Sequence, residues 1–129
     1  MAETENTATV ARQTVSSGSP WEEKVGYSRA VRVGSQVWVS GTTGPGADAA
    51  EQTRAALATI VAALAEAGAT PADVVRTRIF TTDINDWQSI GAEHAKVFGE
   101  ARPATTMVQV AALIDSDLLV EIEADAYLG

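Results

Sequence analysis

The chain contains no cysteine and only one histidine among its 129 residues. Without cysteine it can form no disulfide, present no thiolate nucleophile and build no zinc site from thiolate ligands. The single histidine, His94, also rules out a metal site made of several histidines within one chain. We therefore expect no metal site of either kind.

Positive charge is scarce as well. The chain has 9 lysines and arginines against 17 aspartates and glutamates, which gives a formal net charge of −8 at pH 7. A chain of this charge repels a polyanion and lacks the basic surface that nucleic-acid binding requires. We expect no nucleic-acid partner.

Long apolar runs are missing too. The longest such run, residues 55–65, is too short and too rich in alanine to span a bilayer. The first residues read MAETENTA, acidic and polar, whereas a signal peptide is basic and then apolar. These features predict a cytoplasmic protein with no membrane partner.

The length and the hydrophobic content of 46% are those of one globular domain. Residues 1–8 lack apolar periodicity, which predicts a disordered tail followed by a single domain over 9–129.

The stretch 102–126, RPATTMVQVAALIDSDLLVEIEADA, predicts two strands, 105–111 and 118–126, with a short polar connection between them. In the second strand Glu121, Glu123 and Asp125 alternate with apolar residues. A period of two is typical of a strand with one buried face. We expect the three carboxylates on the opposite face.

Other segments predict the rest of an α/β fold. A strand is predicted over 10–16, ended by the breaker cluster 16–20, and a hairpin over 27–33 and 36–40 with its turn at Gly34-Ser35. Helical spacing predicts helices over 49–67 and 87–100, with a strand over 74–82 between them. From the hairpin onward, the order ββαβαββ predicts a mixed sheet with both helices on one face. The uncovered face predicts a closed oligomer.

Four stretches are similar to the RidA/YjgF family, also called the Rid or L-PSP family. They are GYSRAVRVGSQVWVSG (26–41), DVVRTRIFTTDINDW (73–87), VFGEARPA (97–104) and LLVEIEADA (118–126). The resemblance implies a chorismate mutase-like fold, assembled as a homotrimer with clefts between subunits. It also implies hydrolysis of reactive enamines and imines, such as 2-aminoacrylate, without a cofactor.

The family's site positions match this sequence only in part. The resemblance implies that Tyr27 and Gly41 contact a small-molecule ligand and that Glu121 holds or activates water. Deaminating members have an arginine where this chain has Thr105, and often an asparagine where it has Gly91. The chain resembles the side branch of the family that lacks this arginine.

The missing arginine matters because it can form a bidentate pair with a substrate carboxylate, at about 1.5–3 kcal/mol per charged hydrogen bond. A threonine hydroxyl cannot replace that pair. The substrate then has no carboxylate, or another cation holds it, or the chemistry differs. The candidate cations are Arg78, the first choice, and Arg29 and Arg102.

His94 is the second candidate catalytic residue, because it is the one side chain here that normally titrates near neutral pH. It could serve with Glu121 as general base and water-orienting group, a role worth about 10² to 10⁴-fold in rate. As an alternative, His94 is a hydrogen-bonded core residue. Thr105 and Thr106 could donate hydroxyl hydrogen bonds to a ligand, or simply be β-branched strand residues.

Three functions remain open. The first is an enzyme that hydrolyses a small imine, enamine or related electrophile in clefts between subunits. The second is a noncatalytic small-molecule-binding or regulatory trimer. The third is a ribonuclease or translation inhibitor, which the net charge disfavours.

Overall fold

The computed structural model of this protein describes residues 11–129, so the predicted tail at 1–8 lies outside the described residues. One sheet contains six strands. These are β1 (Arg12–Val15), β2 (Ala30–Val33), β3 (Gln36–Thr42), β4 (Val74–Thr81), β5 (Ala104–Gln109) and β6 (Val120–Tyr127). The α-helices are α1 (Pro20–Val25), α2 (Ala49–Glu66) and α3 (Trp87–Phe98), and short 3-10 turns at Pro71–Asp73 and Ile84–Asp86 precede β4 and α3.

The strand order across the sheet is β1-β2-β3-β6-β4-β5. All neighbours are antiparallel except β4 and β5, which are parallel. The last two strands of the chain are therefore not partners, because β4 lies between them. A parallel pair requires a crossover connection, and α3 provides it. The predicted fold class, a mixed sheet with two main helices on one face, is confirmed.

Helix α2 packs across the middle of the sheet and forms much of the core. Asp48 caps its first turn by accepting a 2.9 Å hydrogen bond from the Glu51 N–H. Gly68, with φ +88°, follows its end, as the spacing predicted. Each large apolar side chain buried here contributes about 1.5–3 kcal/mol. The largest apolar side chains of the core, drawn from helices and sheet, are Leu57, Ile60, Leu64, Ile79, Ile90, Phe98 and Ile122.

The two faces of β6 confirm the predicted alternation. Val120, Ile122, Ala124 and Ala126 are buried towards the helices, while the three carboxylates between them are partly exposed on the other face. That second face, called the open face below, also presents Trp38 and Val108, each 41% exposed. No helix of residues 11–129 is both long and apolar enough to cross a membrane.

Helix α1 was not predicted, because 16–20 was interpreted as a breaker cluster. The same residues form a helix start. Ser19 has extended backbone and accepts a hydrogen bond from the Trp21 N–H at 3.3 Å, and Pro20 occupies the first helical turn. Gly26 ends the helix at φ +87°, a left-handed conformation that favours glycine. The consequence is that α1 stands beside the end of β3.

Candidate functional site

A cleft of about 800 Å³ lies between α1, the end of β3 and the connection from β5 to β6. Tyr27, Gly41 and Glu121, three of the residues chosen from the sequence, all line it. Its volume lies within the range of small-molecule sites, about 300–1,000 Å³. The cleft is therefore the candidate functional site.

Gly41 leaves room for the carboxylate that lies beside it. A Cβ atom added there would overlap Oε2 of Glu121. Gly41 lies in a register irregularity of the β3–β6 pair, between the paired positions Val39 and Thr42. Such bulges re-aim side chains and commonly lie next to functional sites. The missing side chain lets the Glu121 carboxylate rest against the backbone of β3.

Glu121 is a partly exposed carboxylate with an unusual environment. Within residues 11–129 no group donates it a hydrogen bond at standard geometry. Burial, and then the nearby Glu123 carboxylate, raise the pKa of Glu121 above its usual value, and Arg29 opposes this shift only in part. A carboxylate of raised pKa is a stronger base than an ordinary one, which suits Glu121 to accept a proton from a molecule in the cleft.

Arg29 is the buried centre of the cleft wall, with only 5% of its surface exposed. Its Nη1 donates hydrogen bonds to the Gly41 carbonyl at 2.7 Å and to Thr42 Oγ1 at 3.0 Å. Its Nη2 donates to the Tyr27 hydroxyl at 3.2 Å, and its Nε donates to Ser17 Oγ at 3.2 Å. The Arg29 side chain thus links Ser17, which precedes α1, to the end of β3, and it holds Tyr27 and Gly41 in place.

Glu22 on α1 is the carboxylate that balances this guanidinium. Its Oε2 lies 3.7 Å from Arg29 Nε and accepts hydrogen bonds from Ser17 N at 3.0 Å and Ser17 Oγ at 2.6 Å. Burial raises the pKa of Glu22, but the Ser17 hydrogen bonds outweigh burial and hold it below the usual value. Glu22 therefore stays charged in its structural role.

His94 and Thr105 lie elsewhere, on the helix side of the sheet. His94 Nε2 is 2.9 Å from the buried Thr77 Oγ1, which is 2.7 Å from Thr105 Oγ1. Thr105 Oγ1 in turn donates to the Pro103 carbonyl at 3.2 Å. Burial lowers the pKa of His94 below its usual value. Because Glu121 points to the opposite face of the sheet, the two candidate catalytic residues do not meet within one chain.

Arg78 and Thr106 are neighbours in the β4–β5 register and lie on the open face, outside the cleft. Arg78 Nη1 already has two carboxylate partners, Glu123 at 3.0 Å and Asp125 at 3.6 Å. Arg29, which the sequence offered only as an alternative cation, is the one that lines the cleft beside Glu121. The structure thus separates the predicted site residues into three groups. These are the cleft residues Tyr27, Gly41 and Glu121, the helix-side residues His94 and Thr105, and the open-face residues Arg78 and Thr106.

Ser17 and Glu22 were not predicted as site residues, although Ser17 lines the cleft. A usable signal was present, since Ser19-Pro20 followed by Glu22-Glu23 is a helix-start pattern. Recognising it would have placed an α-helix immediately before the Tyr27 motif. Within residues 11–129 no group of three or more histidine, cysteine or acidic side chains could hold a metal ion.

These features define a small α/β protein with a candidate ligand cleft, and among the described residues that line this cleft the one cation, Arg29, is engaged in its wall. The chain belongs to the family described as endoribonuclease L-PSP, whose model matches residues 19–128. The predicted RidA/YjgF membership is thereby confirmed, whereas its assignment to the arginine-lacking branch stays a prediction.

Three similar proteins illustrate the range of the family. Rv2704 of Mycobacterium tuberculosis, a crystal structure from the YjgF/YER057c/UK114 family, is 62% identical with a TM-score of 0.89, over 91% of this chain and 99% of its own. The uncharacterized protein SCO2049 of Streptomyces coelicolor is 43% identical over 89% of this chain and 91% of its own length. A 2-iminobutanoate/2-iminopropanoate deaminase of Escherichia coli is 33% identical over 83% and 86%, respectively.

Proposed function

We propose that this protein hydrolyses small reactive imines or enamines in the cleft that contains Glu121. The observation that carries the proposal is the Glu121 carboxylate itself, partly buried, of raised pKa and facing a cleft beside the bare backbone of Gly41. The similarity to a named iminobutanoate and iminopropanoate deaminase supports the same reaction type.

The proposed chemistry needs only water and proton transfer. Glu121 takes a proton from water while the water oxygen bonds to the carbon of the protonated imine, and the C=N electron pair moves to nitrogen and neutralises it. The resulting carbinolamine then loses ammonia. Its nitrogen gains a proton, its hydroxyl gives one up, the C–N bond breaks and the C=O bond forms. An enamine enters the same route after a proton adds to its carbon.

Tyr27 is positioned to supply a hydrogen bond to the nitrogen of the carbinolamine, which regains a lone pair when water adds. Because Arg29 donates to the Tyr27 oxygen, the phenolic hydrogen must point to another acceptor. Tyr27 lines the same cleft as Glu121. The pair therefore offers a proton acceptor and a proton donor to one small molecule.

We also propose a homotrimer in which the open face is covered by neighbouring copies. Its support is the exposed Trp38 and Val108 on that face, which a packed interface would bury. Because they lie on opposite sides of the sheet within one chain, His94 and Thr105 could approach a Glu121 carboxylate only across a subunit boundary of such a trimer. In it, Arg78 and Thr106 would lie between subunits.

The test is hydrolysis of imines generated in solution, some by an amino-acid oxidase and some by an amine oxidase, with semicarbazide trapping the imine that remains. We expect the protein to reduce trapping and Glu121→Gln to lower that activity by about 10² to 10⁴-fold. Glu66→Gln, an exposed carboxylate on α2, is the matched control and should keep the activity.

A fully active Glu121→Gln variant would contradict the assigned site. No acceleration of any imine, alongside an active deaminase relative, would contradict the enzyme and leave the noncatalytic binding protein. Sedimentation or light scattering of the same samples decides whether the assembly is a trimer.

A further inference from the structure

The charges that line the cleft are unbalanced towards negative. Among the described lining residues, Arg29 is the one cation, while Asp115, Asp117 and Glu121 are carboxylates. Asp115 and Asp117 lie on the exposed connection between β5 and β6, so they face anything that enters. An entering anion meets repulsion from this wall.

Arg29 does not offset that imbalance for a ligand. Four of its five N–H groups are directed to protein acceptors, namely Ser17 Oγ, the Gly41 carbonyl, Thr42 Oγ1 and the Tyr27 hydroxyl. Binding a carboxylate in bidentate fashion requires two free, parallel N–H groups. A guanidinium that is 5% exposed with one N–H to spare cannot provide them.

The other predicted anchors for a carboxylate supply no cation to the cleft within this chain, and Arg102, exposed just before β5, does not line it. Arg78 is paired with Glu123 and Asp125 outside the cleft. At Thr105 the side chain is a hydroxyl that donates to a backbone carbonyl on the helix side. Neither residue adds a cation to the cleft within this chain.

The cleft does have an apolar wall. Trp21 is 43% exposed, Val25 68% and Ile114 65%, and all three line the cleft. Large apolar side chains that stay exposed around a concave site mark a surface for an apolar ligand group. The walls therefore combine apolar contact with negative charge.

We propose that the preferred substrate is an imine without a carboxylate, bound as its iminium ion and bearing an apolar substituent. This inference rests on the proposed function and specifies its substrate class. The iminium ion carries the charge that Glu121 and the two aspartates attract, and its carbon is the more electrophilic form for water attack. The products are the corresponding carbonyl compound and ammonium.

The test compares two imines that differ in the carboxylate. An amino-acid oxidase produces one from phenylalanine, and an amine oxidase produces the other from 2-phenylethylamine. For each, kcat/KM is divided by the uncatalysed hydrolysis rate. We expect the carboxylate-free imine to be favoured at least about tenfold. Equal values, or preference for the carboxylate, would overturn the inference while leaving the proposed hydrolase intact.

Charge removal on the rim provides a second arm. Asp115→Asn together with Asp117→Asn keeps the oxygen that Asp115 offers to the Asp117 N–H at 2.9 Å. The selectivity ratio should fall by about two- to tenfold, the range expected for two exposed charges. Glu66→Gln should leave the ratio unchanged. An unchanged ratio in the double variant would contradict a role for the acidic rim.

If neither imine is hydrolysed faster, the proposed function fails and binding decides the substrate class. NMR titration with 2-phenylethylammonium and with phenylalanine then measures the same charge preference without turnover. Tighter binding of 2-phenylethylammonium supports a cleft that selects against carboxylates. Equal or weaker binding of this amine contradicts it.

Discussion

Glu93 is a buried carboxylate and Glu121 a partly buried one, and their surroundings are opposite. Glu93 on α3 accepts hydrogen bonds from Arg54 Nε and Nη2, each at 3.1 Å, and from Lys96 Nζ at 3.0 Å. Arg54 first, and Lys96 after it, lower the pKa of Glu93 to about 2. Glu121 accepts no such bond within residues 11–129, and its pKa is raised.

The difference shows that the surroundings of a carboxylate decide whether it is structural or available for chemistry. Glu93 accepts three charged hydrogen bonds, which join α2 to α3 and make this carboxylate a poor proton acceptor. Glu121 has one cation nearby, but that guanidinium is bonded elsewhere. A carboxylate kept short of donors costs stability and is the one available for chemistry.

Removing Arg29 should have the largest effect on the contrast between Glu93 and Glu121. Arg29→Met would leave the buried Glu22 without its cation and four acceptors without their donor. We expect the free energy of unfolding to fall by about 3–5 kcal/mol. Denaturant unfolding measures it, and imine hydrolysis should fall in the same variant because Tyr27 and Gly41 lose their anchor.

Arg54→Met is the matched control, since it removes the same group from Glu93. The Arg54 side chain is 59% exposed, and Lys96 remains as a donor to Glu93. The loss of stability should be clearly smaller, with hydrolysis retained. If Arg54→Met lowered the free energy of unfolding and the hydrolysis as much as Arg29→Met, the larger role assigned to Arg29 would be refuted.

Much of the fold could be predicted from the sequence, because its signals are local. Strict alternation identified the buried and open faces of β6, and the Gly34-Ser35 turn identified the hairpin. Helical spacing and Gly68 identified α2. Each pattern depends on residues close together in the chain.

The site was less predictable, because its contacts join distant segments. Arg29 bonds to groups 12 and 13 residues away on either side, and no periodicity marks such a cluster. The bond between Thr77 and Thr105 requires the parallel β4–β5 pairing, a pairing not evident in the sequence. His94 contacts the helix side of this pairing, and it is therefore separated from Glu121, which lies on the open face.

A smaller difference between the two carboxylates should appear in how each affects stability as the pH changes. The Glu93 pKa lies below its unfolded value of 4.5, so its stabilisation is present above pH 4.5 and is lost as pH falls towards 2. The Glu121 pKa lies above 4.5, so its favourable contribution is present below pH 4.5 and is lost as pH rises through the raised value.

Thermal unfolding of two variants between pH 3 and pH 8 separates these contributions. Glu93→Gln should be less stable than the parent at neutral pH and approach it in acid. Glu121→Gln should be at least as stable as the parent at neutral pH, because the unsatisfied charge is gone. A Glu121→Gln variant that melts well below the parent at pH 7 would show that the charge is stabilised after all.

The smallest and most local test concerns the side of the sheet away from the cleft. The Pro103 carbonyl can only accept, so the Thr105 hydroxyl donates to it, the Thr77 hydroxyl donates to Thr105, and His94 Nε2–H donates to Thr77. We expect NMR of this single histidine to show the Nε2–H tautomer. Its pKa should lie below 6.5, so its neutral form stabilises the fold above that pH and loses this effect as pH falls.

Thr105→Val removes the acceptor of the Thr77 hydroxyl, which should then donate to Nε2 and move the imidazole proton to Nδ1. Thr106→Val, the next residue on the same strand, points to the open face and should leave the tautomer unchanged. A Thr105→Val variant that keeps the Nε2–H form would refute the directed chain of hydrogen bonds. A tautomer shift in both variants would mean that β5 itself moves. The His94 signal would then reflect the position of this strand and not the loss of one hydroxyl.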